Sequence, residues 1–185
     1  MRNIKERLDK VRALIQKEEF LEGKGLSNEV NIRMFCYEPE DEMAVRHFID
    51  QLSTDLTLKC NLKLYHLYEI FLAICEDKRI IKSIPRMEEK KGKEYLLNQM
   101  HSIATDDMFI QKMQYEPHEK GDVMLLTGVG EVFPFMRIHA LLDALQPNFP
   151  NIPILVMYPG TFDGTQVKLF DKLKPNSYYR AFSIL

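Results

Sequence analysis

Residues 121–146, GDVMLLTGVGEVFPFMRIHALLDALQ, constrain the fold more than any other stretch of the chain. Val123 to Thr127 form an apolar run of strand length, bounded by glycines on both sides. Gly128 and Gly130 free the backbone for a sharp turn, and Pro134 suits the first turn of a following helix. In that helix Phe135, Ile138, Leu142 and Leu145 recur at i, i+3, i+7 and i+10, one face that can lie back on a sheet. Strand, tight turn and helix make one βα unit of a layered α/β fold.

The same alternation recurs along the chain. Residues 32–37 are largely apolar, and after Glu38-Pro39-Glu40-Asp41-Glu42 the positions Val45, Phe48, Ile49 and Leu52 mark a helix face. Acids in a first helical turn complement the helix dipole. Residues 60–65 alternate apolar and polar, the period of a strand, and Leu67, Ile70, Phe71 and Ile74 follow at helical spacing. Residues 78–93, rich in Lys and Glu with Pro85 and Gly92 as breakers, read as a solvated connection and the foot of a long helix through Leu96, Met100 and Ile103. Residues 154–158 are apolar on both faces, as a parallel strand requires. Residues 167–173 are expected as a short helix and residues 179–184 as a last strand. At the start, Ile4, Leu8, Val11 and Ile15 predict an amphipathic helix over about residues 2–17, packing on the domain or on a partner. The expected architecture is a single domain over residues 1–185: a three-layer α/β/α arrangement with a mostly parallel, Rossmann-like or P-loop-like central sheet that lacks a phosphate-binding motif.

Charge and cysteine usage bound the function. Lys plus Arg number 25 against 27 Asp plus Glu, a net charge of −2, so no global electrostatic footprint for nucleic acid is present. Cys36, Cys60 and Cys75 are odd in number and set among apolar residues, as expected of reduced thiols. No apolar run is long enough to span a bilayer, and the charged N-terminus lacks a signal-peptide core, so the expected location is the cytoplasm.

The motifs that could carry chemistry are incomplete. Thr127-Gly128-Val129-Gly130 precedes a helix, but Glu131 and Val132 stand where a P-loop needs Lys and Ser or Thr. His47, His66, His101, His118 and His139 show no zinc-ligand spacing. His139 and Asp143 are one helical turn apart, without a nucleophile motif to serve. No cofactor, metal or catalytic set is expected. Glu38 and Asp41, Glu131, and the loop residues Tyr158, Phe162 and Asp163 are instead expected at the carboxyl edge of the sheet as a partner-binding surface. A terminal strand would place Tyr178, Arg180 and Phe182 on one further contact face.

The ordered series LTGVGEVFPFMRIHALLDALQ, PILVMYPGTFDGTQVKLFDKL and YYRAFSIL resembles the BrxB family of BREX phage-exclusion systems, and FCYEPEDEMAVRHFIDQL is similar to that family's opening strand and acidic helix. The resemblance implies a small component of an anti-phage system working beside a PglZ-type alkaline-phosphatase-like protein, an AAA+ ATPase and a DNA methyltransferase. It brings no catalytic residue set. The leading expectation is therefore a non-catalytic interaction or scaffold component. The alternatives are a nucleotide- or phosphoester-processing enzyme using the carboxyl-edge loops, or a DNA-binding subunit using Lys78, Arg79, Lys82, Arg86, Lys90, Lys91 and Lys93.

Overall fold

The computed structural model describes residues 3–22, 31–163, 165–177 and 182–183. Helix α1 (Ile4–Leu14) is capped by Asn3, whose side-chain oxygen accepts the Lys5 N–H, and a single turn, α2 (Glu18–Leu21), follows. Strand β1 (Ile32–Tyr37) leads through a 3-10 turn at Pro39–Asp41 into α3 (Glu42–Thr54). Strand β2 (Asn61–His66) runs straight into α4 (Leu67–Asp77). Helices α5 (Ile84–Lys91), α6 (Lys93–Ile103) and α7 (Asp106–Met113) then precede β3 (Asp122–Thr127). The one-turn α8 (Val129–Val132), helix α9 (Ile138–Asn148) and strand β4 (Ile154–Phe162) follow, and the short strands β5 (Gln166–Leu169), β6 (Asn176–Ser177) and β7 (Phe182–Ser183) close the described chain.

The main sheet has the order β2-β3-β4-β1-β7, and every neighbouring pair in it is parallel. Alternation along each strand divides the apolar side chains between two cores. Phe35, Val123, Leu125, Leu155 and Met157 meet α1 and α3 on one face; Met34, Met124, Leu126, Ile154 and Val156 meet α4, α7 and α9 on the other. The central strands are buried on both sides, so their near-continuous hydrophobicity is a consequence of the parallel three-layer arrangement. The N-terminal helix is part of that arrangement: Leu8, Val11 and Ile15 are buried in the core against α3. Each such side chain contributes about 1.5–3 kcal/mol by leaving water, which holds α1 on the sheet.

Three expectations need correction. The helix after the central strand begins at Ile138 rather than at Pro134; Phe133–Pro134 is a cis peptide, Arg137 is extended at the N-cap, and Phe135 lies outside the helix with its ring stacked 4.5 Å from that of Phe71. The apolar positions Phe135 and Ile138 thus share a core without sharing a helix. Residues 167–173 are not helical: β4 continues past the sheet and turns back antiparallel as β5, with Val167 and Leu169 pointing inward at the strand period of two. Gly160 permits this hairpin, because its φ is +151° and a Cβ there would lie 2.2 Å from the Lys168 carbonyl oxygen. The basic stretch before Gly92 forms α5, and Gly92, at φ +85°, separates it from α6. Of the expected last strand, residues 182–183 pair with β1 as β7, while residues 178–181, and with them Tyr178 and Arg180 of the proposed contact face, lie outside the described residues.

Candidate functional site

Parallel strands deliver their loops to one edge. At the carboxyl ends of β1, β2 and β3 the chain brings together Tyr37, Glu42, Arg46, His66 and Glu131 around two adjoining clefts of about 210 and 420 Å³. Tyr37 is the last residue of β1, and its hydroxyl donates to Glu42 Oε2 at 2.6 Å. Glu42 and Arg46 are one turn apart on α3, so Arg46 Nε reaches Glu42 Oε1 at 2.8 Å. The far side of the same guanidinium is ion-paired with Glu131, 85 residues later in the chain. His66, the last residue of β2, places Nε2 3.4 Å from Glu131 Oε2.

Burial shifts Tyr37 and His66 in opposite directions. It pushes the Tyr37 hydroxyl well above its ordinary value, with the Glu42 hydrogen bond and charge adding to the effect, so Tyr37 remains a donor. It pushes His66 below the ordinary histidine value of 6.5; Arg46 acts in the same direction, and Glu69 and Glu42 oppose it. The lowering favours the neutral form of His66, and its contact with Glu131 is long for an ion pair. The cluster then holds two carboxylates against one guanidinium. Glu38, Glu40 and Asp41 add three more acids on the lip above it and have no ion-pair partner among the described residues.

Gly128 fits this site closely. Its φ is +71°, and a Cβ there would lie 2.6 Å from His66 Cε1. The turn that resembles a phosphate loop is filled by an imidazole ring and ends in a carboxylate, so an incoming phosphate would meet Glu131. The arrangement is suited to cationic groups, and the side chains of a basic protein surface are the simplest source of them.

The predicted site residues do not form one patch. Glu131 lies in the cluster, and Glu38 and Asp41 flank it. Tyr158 is only 2% exposed, because β4 is a central strand and its even-numbered side chains point into the core; it lines a separate cavity of about 400 Å³ with Val129, Met136, His139 and Val167. Phe162 is half-buried against the same core. Asp163 is exposed, but its Oδ1 accepts from the Thr165 N–H, the Thr165 hydroxyl and the Gln166 N–H, each at 2.8 Å, and so closes the β4–β5 turn. Arg46 and His66 are the residues the sequence did not single out. The Glu42–Arg46 spacing of four was a legible signal; the meeting of both residues with Glu131 depends on strand order.

His139 faces Asp106 of α7 as well as Asp143 of its own helix, and burial lowers the pKa of His139 while raising that of Asp106. Cys36, Cys60 and Cys75 are free, and burial pushes the Cys36 thiol up to about 12. Among the described residues, no group of three or more His, Cys, Asp or Glu is placed to hold a metal ion, and no helix is long and apolar enough to cross a membrane.

Fold and site define a three-layer α/β protein with a parallel main sheet and a carboxylate-rich loop edge. Residues 63–184 match the family model described as BREX protein BrxB. The chain is 36% identical over 193 residues to the BREX protein BrxB of Bacillus cereus (strain H3081.97), an alignment covering 100% of this chain and 99% of that relative. It is 26% identical over 183 residues to the BREX protein BrxB of Escherichia coli O9:H4 (strain HS), covering 97% of this chain and 90% of that one. No solved structure matches the chain at a significant level. The chain belongs to the BrxB family and is thereby a component of BREX phage defence.

Proposed function

We propose that this chain acts as a non-catalytic interaction component in the cytoplasm, a single α/β unit over residues 1–185 that recruits or positions a larger BREX component through its carboxyl edge. The candidate partners are the PglZ-type protein, the AAA+ ATPase and the DNA methyltransferase. The observation that carries the reading is the excess of carboxylate at that edge: among the described residues Glu38, Glu40 and Asp41 stand without ion-pair partners beside a cluster in which Glu131 and Glu42 share Arg46. Acids so placed raise the association rate of a basic surface and set its register.

The test is capture of each component by the full chain, followed by binding kinetics of the component retained. Direct retention of one component, weakened by salt, is expected, and the double variant Glu38→Lys, Asp41→Lys slows association by roughly tenfold. Glu131→Lys is a poorer probe, because it would set a lysine against Arg46. Retention of no component at low salt overturns the reading. Nucleotide turnover by the isolated chain that disappears in a folded Gly130 variant would instead favour the enzyme alternative.

DNA contact is a second reading with one observation in its favour. Lys78, Arg79, Lys82, Arg86, Lys90, Lys91 and Lys93 are all exposed, and α5 buries none of its residues. Glu88 and Glu89 on the same helix dilute that charge. The expected outcome is weak duplex binding lost at physiological salt; sequence-specific binding that persists there would promote this reading.

A further inference from the structure

Among the described residues, strand β2 ends the sheet on its side and pairs with β3 alone. The Asn61 N–H donates to the Gly121 carbonyl at 2.8 Å, which fixes the ladder: Asn61, Lys63 and Tyr65 turn their backbone groups toward β3, and Leu62 and Leu64 turn theirs outward. Among the described residues no side chain or loop amide bonds to those outward groups. Clefts flank this edge on both faces. The one of about 420 Å³ on the α3 side, the cleft that also holds Glu42 and Arg46, presents Ile49 and Asp50; the other, of about 260 Å³, presents Tyr65, Ile70, Ala73 and Lys112, and Leu64, His66 and Glu69 line both. Leu64 is 40% exposed, an apolar side chain left open at a strand edge. Asp50 and Glu69 have no ion-pair partner among the described residues, while Lys112 on the other face is engaged by Asp77 at 2.6 Å.

We infer that the β2 edge is a docking site for an extended segment of a partner protein, which adds to the sheet as a further strand. Side chains on such a strand alternate between the faces, so the segment that fits has basic residues toward Asp50, apolar residues toward Tyr65, Ile70 and Ala73, and a basic residue at the end beside Glu69, which both clefts reach. Backbone bonds to Leu62 and Leu64 supply affinity, and the two clefts supply selectivity. A second copy of this chain fits less well, because the cations beside its own β2, Lys63 and Lys112, are already paired with Asp122 and Asp77. The inference rests on the reading of the chain as an interaction component and extends its surface from the loop edge onto the β2 strand, since the 420 Å³ cleft also holds Glu42, Arg46 and His66.

The test uses the full chain with the BREX component it captures. Amide exchange at Leu62 and Leu64 is expected to be fast in the free chain and to slow by roughly tenfold or more in the complex. Leu64→Pro removes an N–H that the ladder does not use, so it should leave the fold intact and weaken the complex by roughly tenfold. Should that variant unfold, Asp50→Lys with Glu69→Lys reads the same surface through its charge and is expected to weaken binding similarly. A complex that forms with unchanged exchange at Leu62 and Leu64, and that is lost only in the Glu38→Lys, Asp41→Lys variant, overturns the β2 assignment and leaves the acidic-lip reading standing. A dimer of the chain itself that Leu64→Pro dissolves overturns it in favour of self-association. Capture of no component overturns both readings.

Discussion

At the scale of single residues, the site depends on a backbone position that only glycine occupies without strain. Gly128→Ala forces a Cβ into the His66 ring at a left-handed φ, whereas Gly121→Ala, at φ +92° with open space around it, meets the dihedral cost alone. Denaturant unfolding should show Gly128→Ala destabilised by about 1–3 kcal/mol and by more than Gly121→Ala. Equal losses would show that the imidazole does not press on the turn. The two half-buried histidines give a pH dependence with a defined sign. Both have folded pKa values below the ordinary 6.5, burial being the largest cause, so below that pH the unfolded chain binds protons that the folded chain resists. Their contribution is complete above about pH 6.5 and is lost as pH falls from there toward the lowered folded values. Thermal unfolding between pH 7.5 and pH 5 should therefore show a falling midpoint, and His66→Gln and His139→Gln should each flatten the fall.

At the scale of elements, the β4–β5 hairpin illustrates how one carboxylate can define a segment. Three donors hold Asp163 Oδ1 and keep its carboxyl below the usual range, so the turn prefers the charged form. Asp163→Ala removes all three bonds and should raise the protease sensitivity of the 160–169 segment while leaving the parallel sheet intact by circular dichroism. Unchanged cleavage would show that Gly160 and the inward Val167 and Leu169 suffice. A buried equivalent sits at the start of β3. Burial pushes the Asp122 carboxyl up, yet the Glu119 N–H, the Tyr115 hydroxyl, Asn61 and Lys63 together hold it below its usual value. Tyr115→Phe removes one of those donors and should cost about 1–3 kcal/mol at pH 7, measured by denaturant unfolding.

At the scale of the whole molecule, the two cores on opposite faces of the sheet determine which surfaces remain for partners. The apolar stripe of α1 is used internally, so Ile15→Ala should lower stability by about 2–5 kcal/mol without changing the affinity for a captured BREX component. Loss of affinity in a folded Ile15→Ala protein would return α1 to the partner surface. The acidic lip and the β2 edge meet at the cleft that holds Glu42 and Arg46, but one is formed by a loop and the other by a strand, so amide exchange at Leu62 and Leu64 separates strand addition from contact with the lip alone.

The local sequence determined the strands and most of the helices, because periods of two and 3.6 report which side chains must leave water. The runs at 32–37, 122–127 and 154–158 are strands, and the spacing in α1, α3 and α4 marks the faces they bury. It also showed that the Gly128 turn lacks the lysine and hydroxyl of a phosphate loop, since that chemistry is local. It misread residues 167–173, where apolar positions fit either period and a hairpin set by Gly160 and Asp163 decided between them. Only the tertiary structure placed Glu131 beside Arg46 and His66, turned Tyr158 inward and left β2 at the edge. Those outcomes depend on strand order, and strand order follows from how long-range crossovers pack two helical layers onto one sheet, a property that no short window of residues encodes.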